Sequence, residues 1–330
     1  MKAMKPRKQY LLILPAMGLF VFAACSTDIG SPDIDHPVAA IVSGSICEEQ
    51  DNVTRASATA WDAGDLIGIS AASPGKTART NIRFRAKNAA GNFEVVNASG
   101  ENNAIYFEDR KDVRFTAYYP YEGTNETKPG ADGIISRTIT VESQNPDRQS
   151  DLDFLWAQTT ANFANPQVRL DFVHVMSRIR LNFIQGNGVT FPDESVSFSF
   201  SGLKYHGRFD TSTGIAAAIE NSASGLVGPF VATTPFGGTS PQATLIVWPH
   251  EVGLFRLYVD ANINGITTTF SGMLAFTRKS GASKTDLLPG KSYTFNITVE
   301  NEGIDIGEAE VTSWKDKWTN GTDVTARPDR

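Results

Sequence analysis

Apolar and polar residues alternate with a period of two along most of the chain. The clearest alternation covers residues 113–119, 168–176, 196–200 and 293–299. This period gives each segment one apolar face and is typical of half-buried antiparallel strands. The dipeptides Asp132-Gly133 and Asn264-Gly265 are typical of tight hairpin turns. No segment has a convincing long helical period, so the pattern predicts an all-β chain built from antiparallel sandwiches.

A shorter alternating segment lies near the start of the chain, at residues 38–46. Its inward positions are Val38, Ala40, Val42, Gly44 and Ile46. Pro37 precedes it, and proline is tolerated at the first position of a strand, so we predict a strand here. A polar, acidic loop follows at residues 48–52, and Arg55 then precedes the first long domain segment.

The first 25 residues have the order of an export signal. Four basic residues precede an apolar run at 10–22, and Ala23-Ala24-Cys25 follows. The run is shorter than the roughly 20 residues that span a bilayer, which favours a removable signal. Small residues before a cysteine are typical of a lipoprotein cleavage site. We therefore predict that Cys25 is acylated and holds the precursor to a membrane. The alternative is an ordinary secretory signal with Cys25 as an incidental thiol.

Charge and length set the partners and the domain count. Without residues 1–24 the chain keeps 26 Lys+Arg against 36 Asp+Glu, a net charge of −10. Such a surface repels nucleic acid, which we exclude as a partner. The remaining length predicts two domains, divided near the polar stretch at 159–166. The predicted parts are a lipoprotein signal peptide at 1–24, a lipid-anchored pro-segment at 25–55, and β-sandwich domains at 56–163 and 164–330.

The sequence has no pattern that indicates catalysis. Its four histidines lie far apart, and no nucleophile elbow or phosphate-binding loop occurs. We predict no enzyme activity, no catalytic residue, no metal and no cofactor. His174 is on the apolar face of its strand and is predicted to be a hydrogen-bonded core residue, with a ligand role as the alternative. Trp248, Tyr118 and Tyr119 are predicted to pack internally rather than to stack on sugars, and Cys47 is predicted to be buried.

Several short segments stand out by their order and spacing. They are TRA at 54–56, WDAGDLIG at 61–68, AYYPY at 117–121, FVHVMS at 172–177, LIVWP at 245–249 and LPGKSY at 288–293. Together they resemble the fimbrillin-type pilus subunits of Bacteroidales, the FimA/Mfa-like lipoproteins. The resemblance covers nearly all of the mature chain. It implies two transthyretin-like antiparallel β-sandwich domains in tandem.

The resemblance also implies a route of assembly. An arginine-specific protease would cut after Arg55 and leave Ala56 as the first residue. The strand removed with the lipid would contain Val38, Ala40, Val42 and Ile46. The sheet edge left behind would accept another strand. In this family the donor strand comes from the C-terminal segment of a neighbouring subunit, where the candidate residues here are Ile304, Ile306, Val311 and Trp314. The alternative is that 304–314 is the last strand of the second domain.

The leading hypothesis is a structural subunit of a cell-surface fimbria, exported as a lipoprotein and polymerised by strand exchange after cleavage near Arg55. Its implied partners are other fimbrillin subunits, in a homopolymer or heteropolymer, together with the protease and the outer membrane. The alternative is an uncleaved surface lipoprotein that acts as a pilus anchor, a tip adhesin or a glycan-binding protein. That alternative adds a host or bacterial surface receptor as a partner.

Overall fold

The computed structural model of the chain describes residues 36–46, 61–97, 102–219, 227–235, 237–276 and 285–314. The strands up to residue 174 are β1 (Val38–Ala39), β2 (Ile41–Ile46), β3 (Leu66–Ala72), β4 (Arg79–Ala86), β5 (Phe93–Val95), β6 (Tyr106–Phe107), β7 (Val113–Tyr119), β8 (Ile134–Thr138), β9 (Leu155–Ala161) and β10 (Gln167–His174). Within the described ranges there is no α-helix, and the other regular elements are short 3₁₀ turns at Glu142–Gln144, Gln149–Asp151 and Pro192–Glu194.

The strands after residue 174 continue the same pattern. They are β11 (Ser177–Gln185), β12 (Ser195–Ser201), β13 (His206–Asp210), β14 (Ile215–Ala218), β15 (Val227–Thr233), β16 (Gln242–Val247), β17 (His250–Val252), β18 (Arg256–Ile263), β19 (Ile266–Met273), β20 (Thr285–Leu287), β21 (Lys291–Glu300), β22 (Gly303–Ile306) and β23 (Glu310–Ser313). The predicted alternating segments at 113–119, 168–176, 196–200 and 293–299 become β7, β10, β12 and β21. The all-β prediction is confirmed.

Two large sheets organise the chain. The first has seven strands in the order β2-β10-β9-β7-β3-β4-β5. The second has nine, in the order β19-β18-β12-β15-β16-β11-β21-β22, with β23 also paired to β21. Smaller sheets contain β14-β13-β8, β1-β6 and β17-β20. Each large sheet surrounds its own hydrophobic cluster, as expected for two sandwich domains in tandem.

The alternation of each strand decides which side chains form these clusters. In β7, Val113, Phe115 and Ala117 are buried in the first cluster. In β21, Tyr293, Phe295 and Ile297 are buried in the second. The Asn264-Gly265 turn connects β18 and β19 as predicted, because both residues have the positive φ that a tight hairpin turn requires.

Strand direction departs from the fully antiparallel prediction in two places. β2 runs parallel to β10, and β11 runs parallel to β21. An alternation of period two is the same for both directions, so the sequence pattern could not distinguish them. The segment 38–46 is also two strands rather than one, because Ala40 separates β1 from β2 and donates its N–H to the Ile105 carbonyl oxygen at 2.8 Å.

The polar stretch at 159–166 is part of the first sheet rather than a linker. Its beginning belongs to β9, and residues 162–166 form the turn that leads into β10. The buried residues of β10, Val168, Leu170 and Phe172, belong to the first hydrophobic cluster. The change from one large sheet to the other therefore lies between β10 and β11. The domain boundary at 163/164 stays a prediction, with this hairpin as the reason to expect it later.

Candidate functional site

β2 closes a gap in the first sheet. On one side it pairs with β10 in a register that places Val42 beside Val168, Gly44 beside Leu170 and Ile46 beside Phe172. On its other side Ser43 forms a single antiparallel bridge with Asn92, next to β5. Because β10 and β5 lie toward opposite ends of the strand order, β2 connects the two edges of the sheet.

The side chains of β2 divide between core and surface. Val42 is 4% exposed and Ile46 is 1% exposed, so both are part of the first hydrophobic cluster. Val38 and Ala40 are only half-buried. On the outer face, the Ser45 hydroxyl donates to Asp171 Oδ1 at 2.8 Å. Of the four residues predicted to form the displaced strand, two therefore provide most of its buried apolar surface.

Gly44 makes two hydrogen bonds that join β2 to the side of the sheet opposite β10. Its N–H donates to the Gly91 carbonyl oxygen at 2.9 Å. Its own carbonyl oxygen accepts a hydrogen bond from Trp61 Nε1 at 3.0 Å. Trp61 is buried, and its hydrogen bond holds the Gly44 carbonyl of β2, which lies 17 residues earlier in the chain.

Four aromatic side chains lie beneath β2. The Trp61 ring packs edge-on against Phe93 and Phe172, each at a centroid distance of 5.1 Å, and against Tyr119 at 5.6 Å. Burial raises the pKa of the Tyr119 phenol far above its usual range. We call the surface that β2 covers, formed by β10, Trp61, Phe93 and Gly91, the β2 groove. Its side chains are aliphatic and aromatic, and its polar groups toward β2 include the Trp61 indole N–H, the Gly91 carbonyl oxygen and the backbone of β10.

Three of the four predicted donor residues, Ile304, Ile306 and Val311, lie in the last strands of the second sheet, and Trp314 directly follows β23. β22 and β23 both pair with β21. Between these pairings, residues 307–309 lie opposite only Phe295 and Asn296, so three residues oppose two and the strand contains a β-bulge. Ile304 and Ile306 pack against the second cluster, whereas Val311 is 41% exposed. Their transfer to another subunit stays a prediction.

Trp314 fixes the end of this segment to the fold. Its backbone N–H donates to the Gly290 carbonyl oxygen at 2.8 Å. Its ring is fully buried and stacks on His174 with a centroid distance of 4.1 Å and an interplanar angle of 9°. The Arg178 guanidinium lies 4.9 Å from the Trp314 ring centroid. Withdrawing Trp314 would therefore break a stack, a cation–π contact and a backbone hydrogen bond together.

His174 is a buried, hydrogen-bonded residue, as predicted. Its Nδ1 lies 2.7 Å from Asp153 Oδ1, and both side chains are inaccessible to solvent. Trp248, Tyr118 and Tyr119 are buried too, which agrees with internal packing and removes them as a surface platform for sugars. In the described ranges, no cluster of three or more His, Cys, Asp or Glu side chains could hold a metal ion.

Some predicted sites lie outside the described residues. These are the acylation site Cys25, the processing site Arg55 and Ala56, and Cys47. Across the part of the chain that the structure describes, no helix is both long and apolar enough to cross a bilayer.

The sequence did not single out Gly44, Gly91 or Asp153 as site residues. Gly44 carried one available signal: a residue without a side chain at an inward position of an apolar strand face often marks a close backbone approach. Gly91 and Asp153 carried none, because their partners are remote in sequence.

Comparison with known proteins agrees with this architecture. Residues 54–314 match a protein family described as Fimbrillin-like. A Bacteroides uniformis protein named "Putative fimbrium subunit Fim1C" is 25% identical over 275 residues, covering 81% of this chain and 82% of that protein.

Solved structures extend the comparison. A crystal structure described as a "putative cell adhesion protein" from Bacteroides ovatus is 28% identical, with a TM-score of 0.71, covering 84% of this chain and 98% of the other. A second one from Bacteroides uniformis has 22% identity and a TM-score of 0.58, with 84% and 99% covered, and supports the fold alone. The family is one of fimbrial and adhesion subunits rather than enzymes. The chain belongs to the fimbrillin-like family.

Proposed function

We propose that this chain is a subunit of a cell-surface fimbria whose assembly begins when β1 and β2 are removed. The chain is exported as a lipoprotein with Cys25 acylated, and an arginine-specific protease cuts after Arg55. The new first residue is then Ala56, and the lipid leaves with the two strands. A strand from another subunit then fills the β2 groove, and repetition of this step builds the polymer.

The observation that carries this proposal is the closure of the first sheet by β2. Removing β2 would uncover the Trp61 indole, Phe93 and Phe172. It would also leave β10 without a strand partner along one edge. An apolar groove beside an open strand edge is a template for β-strand addition. No other described strand lies between two edges of its sheet and also immediately precedes the predicted cleavage loop.

The energetics suit a strand that is held and yet replaceable. Burying Val42 and Ile46 contributes about 1.5–3 kcal/mol each before ordering costs. β2 pairs with β10 in parallel, which is slightly less stable per residue than antiparallel pairing. A six-residue strand with two buried aliphatic side chains is therefore held more firmly while it is covalently connected than after cleavage. Cleavage removes that covalent connection, so β2 can then dissociate from the first sheet.

Limited digestion of the folded precursor tests the proposal. An arginine-specific protease should produce a chain that begins at Ala56, and this product should form long-lived oligomers on a sizing column. Arg55→Ala should prevent both outcomes without unfolding the chain, because a surface substitution in the predicted polar loop should change stability little. Arg110→Ala is the matched control, since it removes an arginine from an exposed bend elsewhere. A product that loses β2 and stays monomeric would contradict the proposal.

The second candidate is a subunit at the end of the fimbria, either an anchor that keeps its lipid or a tip adhesin. The observation that favours it is the fixed position of Trp314, because a C-terminal segment held in its own sheet is poorly suited to act as a donor. The two candidates differ in the digestion experiment: an anchor resists cleavage after Arg55 in the folded state.

A further inference from the structure

We propose that the β2 groove accepts only a strand with glycine at its centre and an aliphatic residue two positions away on each side. We further propose that this strand comes from a different subunit, and not from the C-terminal segment of a second copy of this chain. Both statements rest on the proposed function, because they assume that β2 is replaced.

The groove leaves little space for a side chain at the position of Gly44. A Cβ atom built on Gly44 would lie 2.9 Å from Phe172 Cε2 and 3.1 Å from Phe93 Cε2. The Phe172 ring is fully buried and packs edge-on against Trp61, so moving it aside would disturb the packing around it. Closely packed interiors do not absorb an added methyl group without displacing their neighbours. A side chain at the central position of the incoming strand therefore meets buried aromatic carbon.

The Gly91 backbone lies close to β2 on the side opposite β10. Gly91 has a φ of +71°, and a Cβ atom built on it would lie 1.9 Å from the Gly44 carbonyl oxygen. Residue 91 therefore has no room for a side chain, and we call this close approach of the Gly91 and Gly44 backbones the narrow point. An incoming strand that makes the same hydrogen bonds brings its own backbone equally close to Gly91.

The contacts of β2 also fix the register of the strand that occupies the β2 groove. Trp61 Nε1 donates to the Gly44 carbonyl oxygen, and Val42 and Ile46 fill the apolar positions two residues before and after. A slip by one residue would turn the aliphatic side chains to the outer face of the sheet. The indole N–H and the narrow point together hold one register, so the pattern aliphatic–x–Gly–x–aliphatic becomes the recognition element.

The C-terminal segment of this chain lacks that pattern. Gly307 is flanked two residues away by Asp305 and Ala309, so placing it at the centre would bury a carboxylate where Val42 lies. Gly303 has Asn301 and Asp305 at the same distances, and Gly321 has Thr319 and Asp323. Every glycine after residue 302 has a polar residue two positions away on at least one side. A polar side chain would therefore occupy an aliphatic position of the groove whichever way the strand runs.

The experiment uses the full chain, cut after Arg55, and labelled peptides that compete with β2. The reference peptide has the sequence of residues 37–46. One test peptide carries Gly44→Val, and a matched control carries Ser43→Val, which places the same side chain on the outward face. A further peptide has the sequence of residues 303–314. Co-elution on sizing, followed by mass spectrometry, measures how much of each peptide is bound.

The reference and Ser43→Val peptides should bind, whereas the Gly44→Val peptide should bind at least about tenfold less, as expected for overpacking a tight core. The 303–314 peptide should not compete. In protein carrying Phe172→Leu, which lacks an ε carbon, a Gly44→Ala peptide should recover binding relative to the reference. Equal binding of all peptides would overturn this inference and leave strand exchange intact. If cleaved protein binds not even the reference peptide, strand exchange itself fails, and the inference fails with it.

Discussion

Trp61 Nε1 donates a hydrogen bond to the Gly44 carbonyl oxygen at 3.0 Å, and this bond connects the body of the first domain to the strand that closes it. Trp61 begins the described chain after the predicted cleavage loop, whereas Gly44 lies before that loop. The two residues would therefore separate into different products after a cut at Arg55. The same contact that holds the closed form also marks the surface that cleavage exposes.

Trp61→Phe should loosen β2 while leaving the aromatic packing largely in place. Loss of the indole donor should lower the free energy of unfolding by about 0.5–1.5 kcal/mol, the usual net contribution of such a hydrogen bond. It should also speed amide hydrogen exchange in residues 41–46. Trp156→Phe is the matched control, because Trp156 Nε1 donates to the Thr211 carbonyl oxygen at the same 3.0 Å. If both variants change exchange in β2 equally, the Trp61 bond does not hold the strand.

Gly91→Ala should displace β2 far more than another glycine substitution of equal backbone strain. Gly91 has a φ of +71°, and its added Cβ would lie 1.9 Å from the Gly44 oxygen. Gly75 has a φ of +79°, but the nearest atom to its added Cβ, Lys111 Nζ, is 4.0 Å away. Both variants incur the cost of a left-handed alanine, about 1–2 kcal/mol. Only Gly91→Ala should also remove protection from residues 41–46, and equal exchange in the two variants would contradict the proposed narrow point.

His174→Ala should destabilise the fold where β10 meets the end of the C-terminal segment, without involving a metal. The variant loses the bond to Asp153 and the stack on Trp314, which should lower the free energy of unfolding by about 1–3 kcal/mol. Urea unfolding measures the change. Chelator should leave the melting temperature of the unmodified protein where it was, and a large drop on adding chelator would show that His174 binds a metal after all.

Cys25→Ala should block lipid attachment. The basic start, the short apolar run and Ala23-Ala24 before the cysteine motivate this prediction. Metabolic labelling with a fatty acid should mark the unmodified protein and not the variant, whose precursor should stay uncut. Cys47→Ala is the control, since it removes the other cysteine and should keep the label. Normal labelling of Cys25→Ala would rule out acylation at this position.

Local pattern was enough to predict the strands and turns that depend only on neighbouring residues. The alternation of 113–119 gave β7, and Asn264-Gly265 gave the β18–β19 hairpin, because side-chain period and turn conformation are local properties. His174 was predicted to be buried from its place on an apolar face. Its partner Asp153 was not found, since their approach depends on how β9 and β10 pair.

The β2 groove could not be predicted from the sequence pattern, because it is formed by contacts between residues that are remote in sequence. The pattern placed Val42 and Ile46 on one face but could not show that β2 runs parallel to β10. The contact between Gly44 and Gly91 joins residues from separate segments, and the glycine at an inward position of β2 could indicate a close approach but not its partner. The hairpin between β9 and β10 resembled a linker for a related reason: polar residues suit an exposed turn as well as a domain boundary.

The central claim is that assembled protein has lost β2, and the most direct test is the first residue of the chain recovered from purified fimbriae. N-terminal sequencing and intact mass measurement identify it without any assumption about the groove. Assembled subunits should begin at Ala56, and lipidated Cys25 should be found only in the unassembled precursor. Assembled subunits that begin at lipidated Cys25 and keep residues 38–46 would contradict it.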